Sequence, residues 1–104
     1  MAELEQGHGA ATFTPAGDIM AHNANAALAA IEALFGAGAA NLTVDMRNVE
    51  MLDSSGIGLL ITALNHANRR QGGMRVVNLS ADVFKMLEVM RLTQRFHASR
   101  RDGR

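Results

Sequence analysis

An α/β fold, with a small mixed, mostly parallel sheet packed by helices, is what this sequence predicts. Three observations carry that expectation. Leu42-Thr-Val-Asp-Met46 alternates apolar and polar residues, and Met74-Arg-Val-Val-Asn-Leu79 reads as a second strand of the same kind. Between them, Ile57, Leu60, Ile61 and Leu64 recur at i, i+3, i+4, i+7, the buried stripe of a helix. Strands that alternate with helices imply parallel pairing through right-handed crossovers.

The elements follow in order. Residues 3–6 and 11–15 are expected as two short strands around Gly7-His8-Gly9, with Pro15 suited to a strand end because it lacks an N–H donor. Ala16-Gly17-Asp18 is a turn. Asn23 or Asn25 caps a helix over roughly 24–35, which is Ala-rich, carries Leu28, Ile31 and Phe35 on one face, and ends at Gly36 and Gly38. The strand at 42–46 leads to a helix opened by Asp53 or Ser54 and running to about Arg70, where Gly72-Gly73 stops it. After the strand at 74–79, Ser80 caps a third helix with Asp82 in its first turn and with Val83, Met86, Leu87 and Met90 facing inward. A short piece near Phe96–Ala98 is expected to add an edge strand. The order is thus β-β-α-β-α-β-α, with a last β. Residues 1–99 form one domain, and 100–104 a disordered basic tail.

Composition narrows the function. The 104 residues are 48% hydrophobic, enough for one core without metal or staples. Cysteine is absent, which excludes disulfides, thiolate chemistry and Cys-ligated zinc. No apolar run approaches the roughly 18 residues that cross a bilayer, and the N-terminus lacks the layout of a signal peptide. A cytoplasmic protein without membrane insertion is expected. The formal net charge is zero and there is no Tyr or Trp, so nucleic acid is not the expected partner. Arg91, Arg95, Arg100, Arg101 and Arg104 make the C-terminus basic, read as a solvated face.

One stretch breaks the helix pattern. Leu52-Asp-Ser-Ser-Gly-Ile-Gly-Leu-Leu60 places an acid, two hydroxyls and two glycines at the start of an apolar helix. Each Gly costs roughly 1 kcal/mol against Ala in a helix interior. The first N–H groups of a helix lack intrahelical partners and sit at the positive end of its dipole, a place that welcomes phosphate. Ser54 and Ser55 supply hydroxyls there. Two readings of the glycines stand together: they let another protein approach the backbone, or Gly56 lets the helix pack closely on a strand. Other chemistries fit less well. His8, His22, His66 and His97 form no i, i+4 ligand pair, so no metal is expected. Residues 53–57 lack the Gly-x-Ser-x-Gly nucleophile elbow. Gly56-Ile-Gly58 lacks the third glycine of a dinucleotide fingerprint, and no cofactor is expected.

Val49-Glu-Met-Leu-Asp-Ser-Ser-Gly-Ile-Gly-Leu-Leu60 resembles the signature of STAS domains, in particular the bacterial anti-sigma factor antagonists. Gly17-Asp-Ile, Leu42-Thr-Val-Asp-Met, Gly72-Gly-Met-Arg-Val-Val-Asn-Leu, and Val83-Phe-Lys-Met-Leu with Leu92 and Phe96 extend the likeness in order along nearly the whole chain. The resemblance implies a STAS fold and a non-enzymatic, phosphorylation-gated protein-binding regulator. In that family the unphosphorylated antagonist binds an anti-sigma factor that is also a Ser/Thr kinase of the histidine-kinase-like ATPase type, and so frees the sigma factor. Phosphorylation ends binding, and a Ser/Thr phosphatase resets the cycle. The motif places the accepting hydroxyl on Ser55, with Asp53, Ser54, Gly56 and Gly58 in support and Ser54 as a capping or supporting hydroxyl. Met20, Met51, Ser55, Ile57 and Leu59 are the expected partner contacts, with Met90 a further rim residue. Two departures stand out: Met20 occupies the place of an Asp common in the family, and Arg91-Leu92 stands for its Gly-Leu pair. The alternative role is a constitutive STAS subunit of a larger assembly, such as a phospholipid-transport or signalling complex, without a phospho-switch.

Overall fold

The computed structural model describes residues 3–7 and 9–102, the first five by their backbone. β1 (Glu3–Gly7) and β2 (Ala10–Thr14) pair antiparallel, with Glu5 opposite Thr12. His8 lies outside the described residues. β3 (Asn41–Asp45) pairs parallel with β2, and β4 (Met74–Val77) parallel with β3, so the sheet order follows the chain, β1-β2-β3-β4. α1 (Ala24–Gly36) makes the crossover from β2 to β3, and α2 (Ser54–Arg69) that from β3 to β4. α3 (Ala81–Val89) follows β4. This is the expected mixed, mostly parallel architecture.

Register explains the core. Two rows cross the three parallel strands, Ala11–Leu42–Met74 and Phe13–Val44–Val76, and all six residues are buried. They join Ile31, Leu34 and Phe35 of α1 and Ile57, Leu60, Ala63 and Leu64 of α2 in one cluster. At about 25 cal/mol per Å² of apolar surface, such burial is the main favourable term in folding. The intervening row, Thr12–Thr43–Arg75, points to the other face and stays partly open, with Arg75 Nε donating to Thr43 Oγ1 at 3.2 Å.

The helices end by one device. In each, a residue just past the last turn adopts a left-handed conformation, and two amides fold back onto the final carbonyls. α1 uses Gly38 (φ 115°), with Ala39 N donating to Leu34 O and Gly38 N to Phe35 O. α2 uses Gln71 (φ 60°), with Gly72 N donating to Ala67 O. α3 uses Arg91 (φ 59°), with Leu92 N donating to Leu87 O. The α2 stop therefore differs from expectation, since the left-handed residue is Gln71 rather than a glycine. Gly72 has another duty: a Cβ there would lie 1.7 Å from Ala40 O. It is a close crossing of two backbones.

Four expectations need correction. Asn23 precedes α1, but its side chain makes no cap bond to the helix. Instead its Oδ1 accepts from Met20 N and its Nδ2 donates to Asp18 O, tying the preceding turn. Met90 is 47% exposed rather than inward, because the α3 stripe that meets the core is Val83 and Leu87. The expected strand near Phe96–Ala98 is irregular, since His97 (φ 45°) turns the chain. Residues 96–101 nevertheless follow the β4 edge, through Val76 N to Phe96 O, Ser99 N to Val76 O and Leu79 N to Ser99 O. Finally, Arg100 and Arg101 belong to this folded edge rather than to a disordered tail. Arg100 bridges to Leu79, and Arg101 N donates to Leu79 O.

Candidate functional site

The Asp-Ser-Ser-Gly element sits beyond the C-terminal ends of β2 and β3, the end where open α/β sheets place their sites. Two loops meet there. Residues 15–23 join β2 to α1, and residues 46–53 join β3 to α2. They are stitched by a parallel bridge between Ile19 and Leu52 and by two carboxylates. Asp18 Oδ1 accepts from Glu50 N at 2.8 Å and Met51 N at 3.1 Å. Asp53 Oδ2 accepts from Ala21 N at 2.9 Å.

Asp53 is the N-cap of α2. Its extended backbone (φ −100°, ψ −172°) lets Oδ1 accept from Ser55 N at 2.9 Å and Gly56 N at 3.2 Å. Of the two alternatives for opening the helix, Asp53 is thus the capping residue, and Ser54 is an exposed first-turn residue. Desolvation pushes the Asp53 carboxyl up, but the amides of Gly56, Ala21 and Ser55 outweigh it and leave its pKa below the ordinary aspartate value. The side chain is therefore an anion joining helix to loop at neutral pH.

Ser55 is the second residue of α2 and is half-buried. A phosphoryl group there would bring about 1.5 to 2 negative charges to the positive end of the helix and close to the Asp53 carboxylate. Attraction and repulsion would act together at the junction where Asp53 ties the helix start to the neighbouring loop.

The two glycines separate the two readings. A Cβ on Gly56 would come 2.8 Å from Ile19 O and 3.0 Å from Leu52 Cδ2, so Gly56 is needed for close packing of α2 on the loop. A Cβ on Gly58 would meet nothing within 4 Å. Gly58 is exposed and leaves the helix backbone open to an approaching surface.

The expected contact residues also divide. Met51 is 45% exposed beside the site, and Met20 is partly exposed on the adjoining loop. Ile57 and Leu59 are only 5% exposed each and belong to the core. In the chain by itself they offer little surface to a partner, whereas Ser54 and Gly58 on the same turns are exposed. Met90 lies at the far end of α3 from Ser80, and Ser80, the N-cap of α3, reaches the site loop through Oγ to Glu50 O at 3.4 Å.

Two site residues escaped the sequence reading. Asp18 was legible only as part of a turn, yet its carboxylate holds two amides of the other loop. Arg101 looked like a solvated charge. Its guanidinium in fact reaches Met46 O at 2.8 Å, Val49 O at 2.5 Å, Asn78 O at 2.9 Å and Glu50 Oε2 at 2.7 Å. Nothing in local sequence marks contacts between residues so far apart in the chain. Among the described residues, no helix is long and apolar enough to cross a membrane.

Comparison with known proteins sets this geometry in context. A family model for the STAS domain matches residues 1–101. A STAS-domain-containing protein of Pseudomonas aeruginosa is 36% identical over 56 residues, which is 54% of this chain and 55% of the relative. The match thus spans about half the length of that relative. An anti-sigma factor antagonist from Mycobacterium paratuberculosis superposes with a TM-score of 0.81 at 22% identity, over 94% of this chain and 83% of that one. The Bacillus cell fate determinant SpoIIAA in its phosphorylated form gives 0.75 at 19% identity, over 95% and 91%. The anti-sigma factor antagonist SpoIIAA in its unphosphorylated form gives 0.70 at 20% identity, over 85% and 82%. At such identities the structural likeness establishes the shared fold.

Proposed function

The chain belongs to the STAS domain family, and from that membership we propose that it is a phosphorylation-gated binding regulator of the anti-sigma factor antagonist type. Unphosphorylated, it binds an anti-sigma factor that is also a Ser/Thr kinase of the histidine-kinase-like ATPase type, releasing the sigma factor. Phosphorylation of Ser55 ends that binding, and a Ser/Thr phosphatase restores it. The chain is substrate and binding partner, not enzyme.

One observation carries this reading. Ser55 stands in the first turn of α2, held at its own amide by Asp53, beside the exposed Met51 and the open backbone of Gly58. A hydroxyl in that position is reachable, and the junction beneath it is anchored to both loops. Added charge alters the docking surface without any need to rebuild the core. That SpoIIAA has been seen in phosphorylated and unphosphorylated forms on the same fold supports the reading.

Calorimetric titration of the candidate kinase into wild type, Ser55→Ala and Ser55→Asp tests it. Wild type and Ser55→Ala are expected to bind alike, and Ser55→Asp at least tenfold more weakly. Equal binding by all three, and by the phosphoserine form, would reject the switch and favour a constitutive subunit of a larger assembly.

A further inference from the structure

The loop that delivers Ser55 has little backbone support of its own. Between β3 and α2, Met46 N donates to Val77 O at 2.9 Å, Val49 N to Met46 O at 2.9 Å and Asp53 N to Ile19 O at 3.4 Å. Side chains supply further ties. On one flank stands Asp18, gripping the amides of Glu50 and Met51. On the other stands Arg101, whose side chain is about one-third exposed, gripping two carbonyls of the loop, the Glu50 carboxylate and the carbonyl of Asn78 beyond β4. Its own amide is fixed to Leu79 O at 3.0 Å.

The chemistry of these contacts is specific to arginine. The guanidinium is a rigid planar fork with five donors, so one side chain can serve acceptors in several directions at once. Here Nη2 takes Met46 O and Val49 O, Nε takes Asn78 O, and Nη1 takes Glu50 Oε2. A lysine ammonium, a point charge on a flexible stem, keeps the attraction to Glu50 but not the converging set of carbonyls.

We propose that Arg101 is a positioning residue for the site. By fixing the carbonyls of Met46 and Val49 and the Glu50 carboxylate, it sets the course of residues 46–53 and thereby the presentation of Met51 and Ser55 to the partner. The proposal rests on the reading of Ser55 as phosphate acceptor. It makes the C-terminal edge part of the site, so that a change confined to that edge alters partner recognition from a distance.

Two measurements on the full chain test this. The first is native-state amide exchange by NMR on wild type, Arg101→Ala, Arg101→Gln and Arg101→Lys, with Ile31→Val as a core variant that loosens the fold generally. The Glu50 and Met51 amides are expected to exchange at least tenfold faster in all three Arg101 variants. The Val44 and Leu60 amides should change no more than they do in Ile31→Val. A uniform increase across all four amides, or full rescue by Lys, overturns the proposal. Should Arg101→Ala fail to fold, Gln and Lys carry the comparison. The second measurement is kcat/KM for phosphorylation of Ser55 by a kinase that modifies the wild type, expected to fall at least fivefold in Arg101→Ala. An unchanged value overturns the proposal. If no kinase that binds the wild type modifies Ser55, the acceptor reading fails instead, while the exchange experiment still decides whether Arg101 fixes the loop.

Discussion

Gly56 and Gly58 lie two residues apart on α2 and do different things. Adding a methyl at Gly56 drives it into the Ile19 carbonyl at 2.8 Å, and backbone cannot step aside as a flexible side chain can. Gly56→Ala is expected to destabilise by roughly 1–3 kcal/mol, the usual range for overpacking. At Gly58 the methyl meets open space, so Gly58→Ala should stabilise by about 0.5–1 kcal/mol through helix propensity while obstructing a partner that needs close approach. Urea denaturation separates the two. Asp53 carries a pH prediction. Its pKa is lowered in the folded protein, so its contribution is present above the ordinary aspartate value and is lost as pH falls through the folded one. Asp53→Ala should therefore show a lower urea midpoint than wild type at pH 7, and the gap should close in the acid range below the ordinary pKa. A gap independent of pH would mean that the carboxylate charge contributes nothing.

At the scale of elements, the left-handed helix stops are the sharpest feature. An L-residue in that conformation costs roughly 1–2 kcal/mol, and glycine avoids the cost at some loss of chain entropy. Arg91 (φ 59°) occupies such a stop, and Arg91 stands where the family resemblance places a glycine. Arg91→Gly should raise stability by about 0.5–1 kcal/mol, read from the thermal midpoint. Gly72→Ala goes the other way. Its methyl would overlap the Ala40 carbonyl, so a loss at or beyond the ~3 kcal/mol upper end of overpacking is expected. These two positions also show what sequence can tell. Strands and helices were readable because alternation and the 3.6-residue stripe directly reflect which side chains are buried. The stops of α1 and α2 were read from glycines, yet conformation here depends on the fold-back hydrogen bonds, which hold Gln71, Arg91 and His97 at positive φ despite their side chains. The last expected strand failed for the same reason.

Over the whole molecule, the site is made by contacts between distant parts of the chain. Asp53 and its serines were legible, because capping is local and its residues lie side by side. Asp18 and Arg101 were not, because their partners are more than thirty and more than fifty residues away for Glu50 and Met46 respectively. Ile57 and Leu59, expected as partner contacts from the motif, are buried in the chain by itself, and for Ile57 the helical periodicity already puts it on the buried stripe. The assembled picture is a helix start held between two loops, each anchored by a carboxylate or a guanidinium, with one half-buried serine in the first turn. The measurement that tests its meaning most directly is phosphate transfer from ATP by a kinase that binds the wild-type chain, with the product mapped by mass spectrometry. Phosphate on Ser55, retained in Ser54→Ala and lost in Ser55→Ala, is the predicted result, together with release of the complex. A kinase that binds the chain yet leaves Ser55 unmodified, or a complex that persists once Ser55 is phosphorylated, would contradict it.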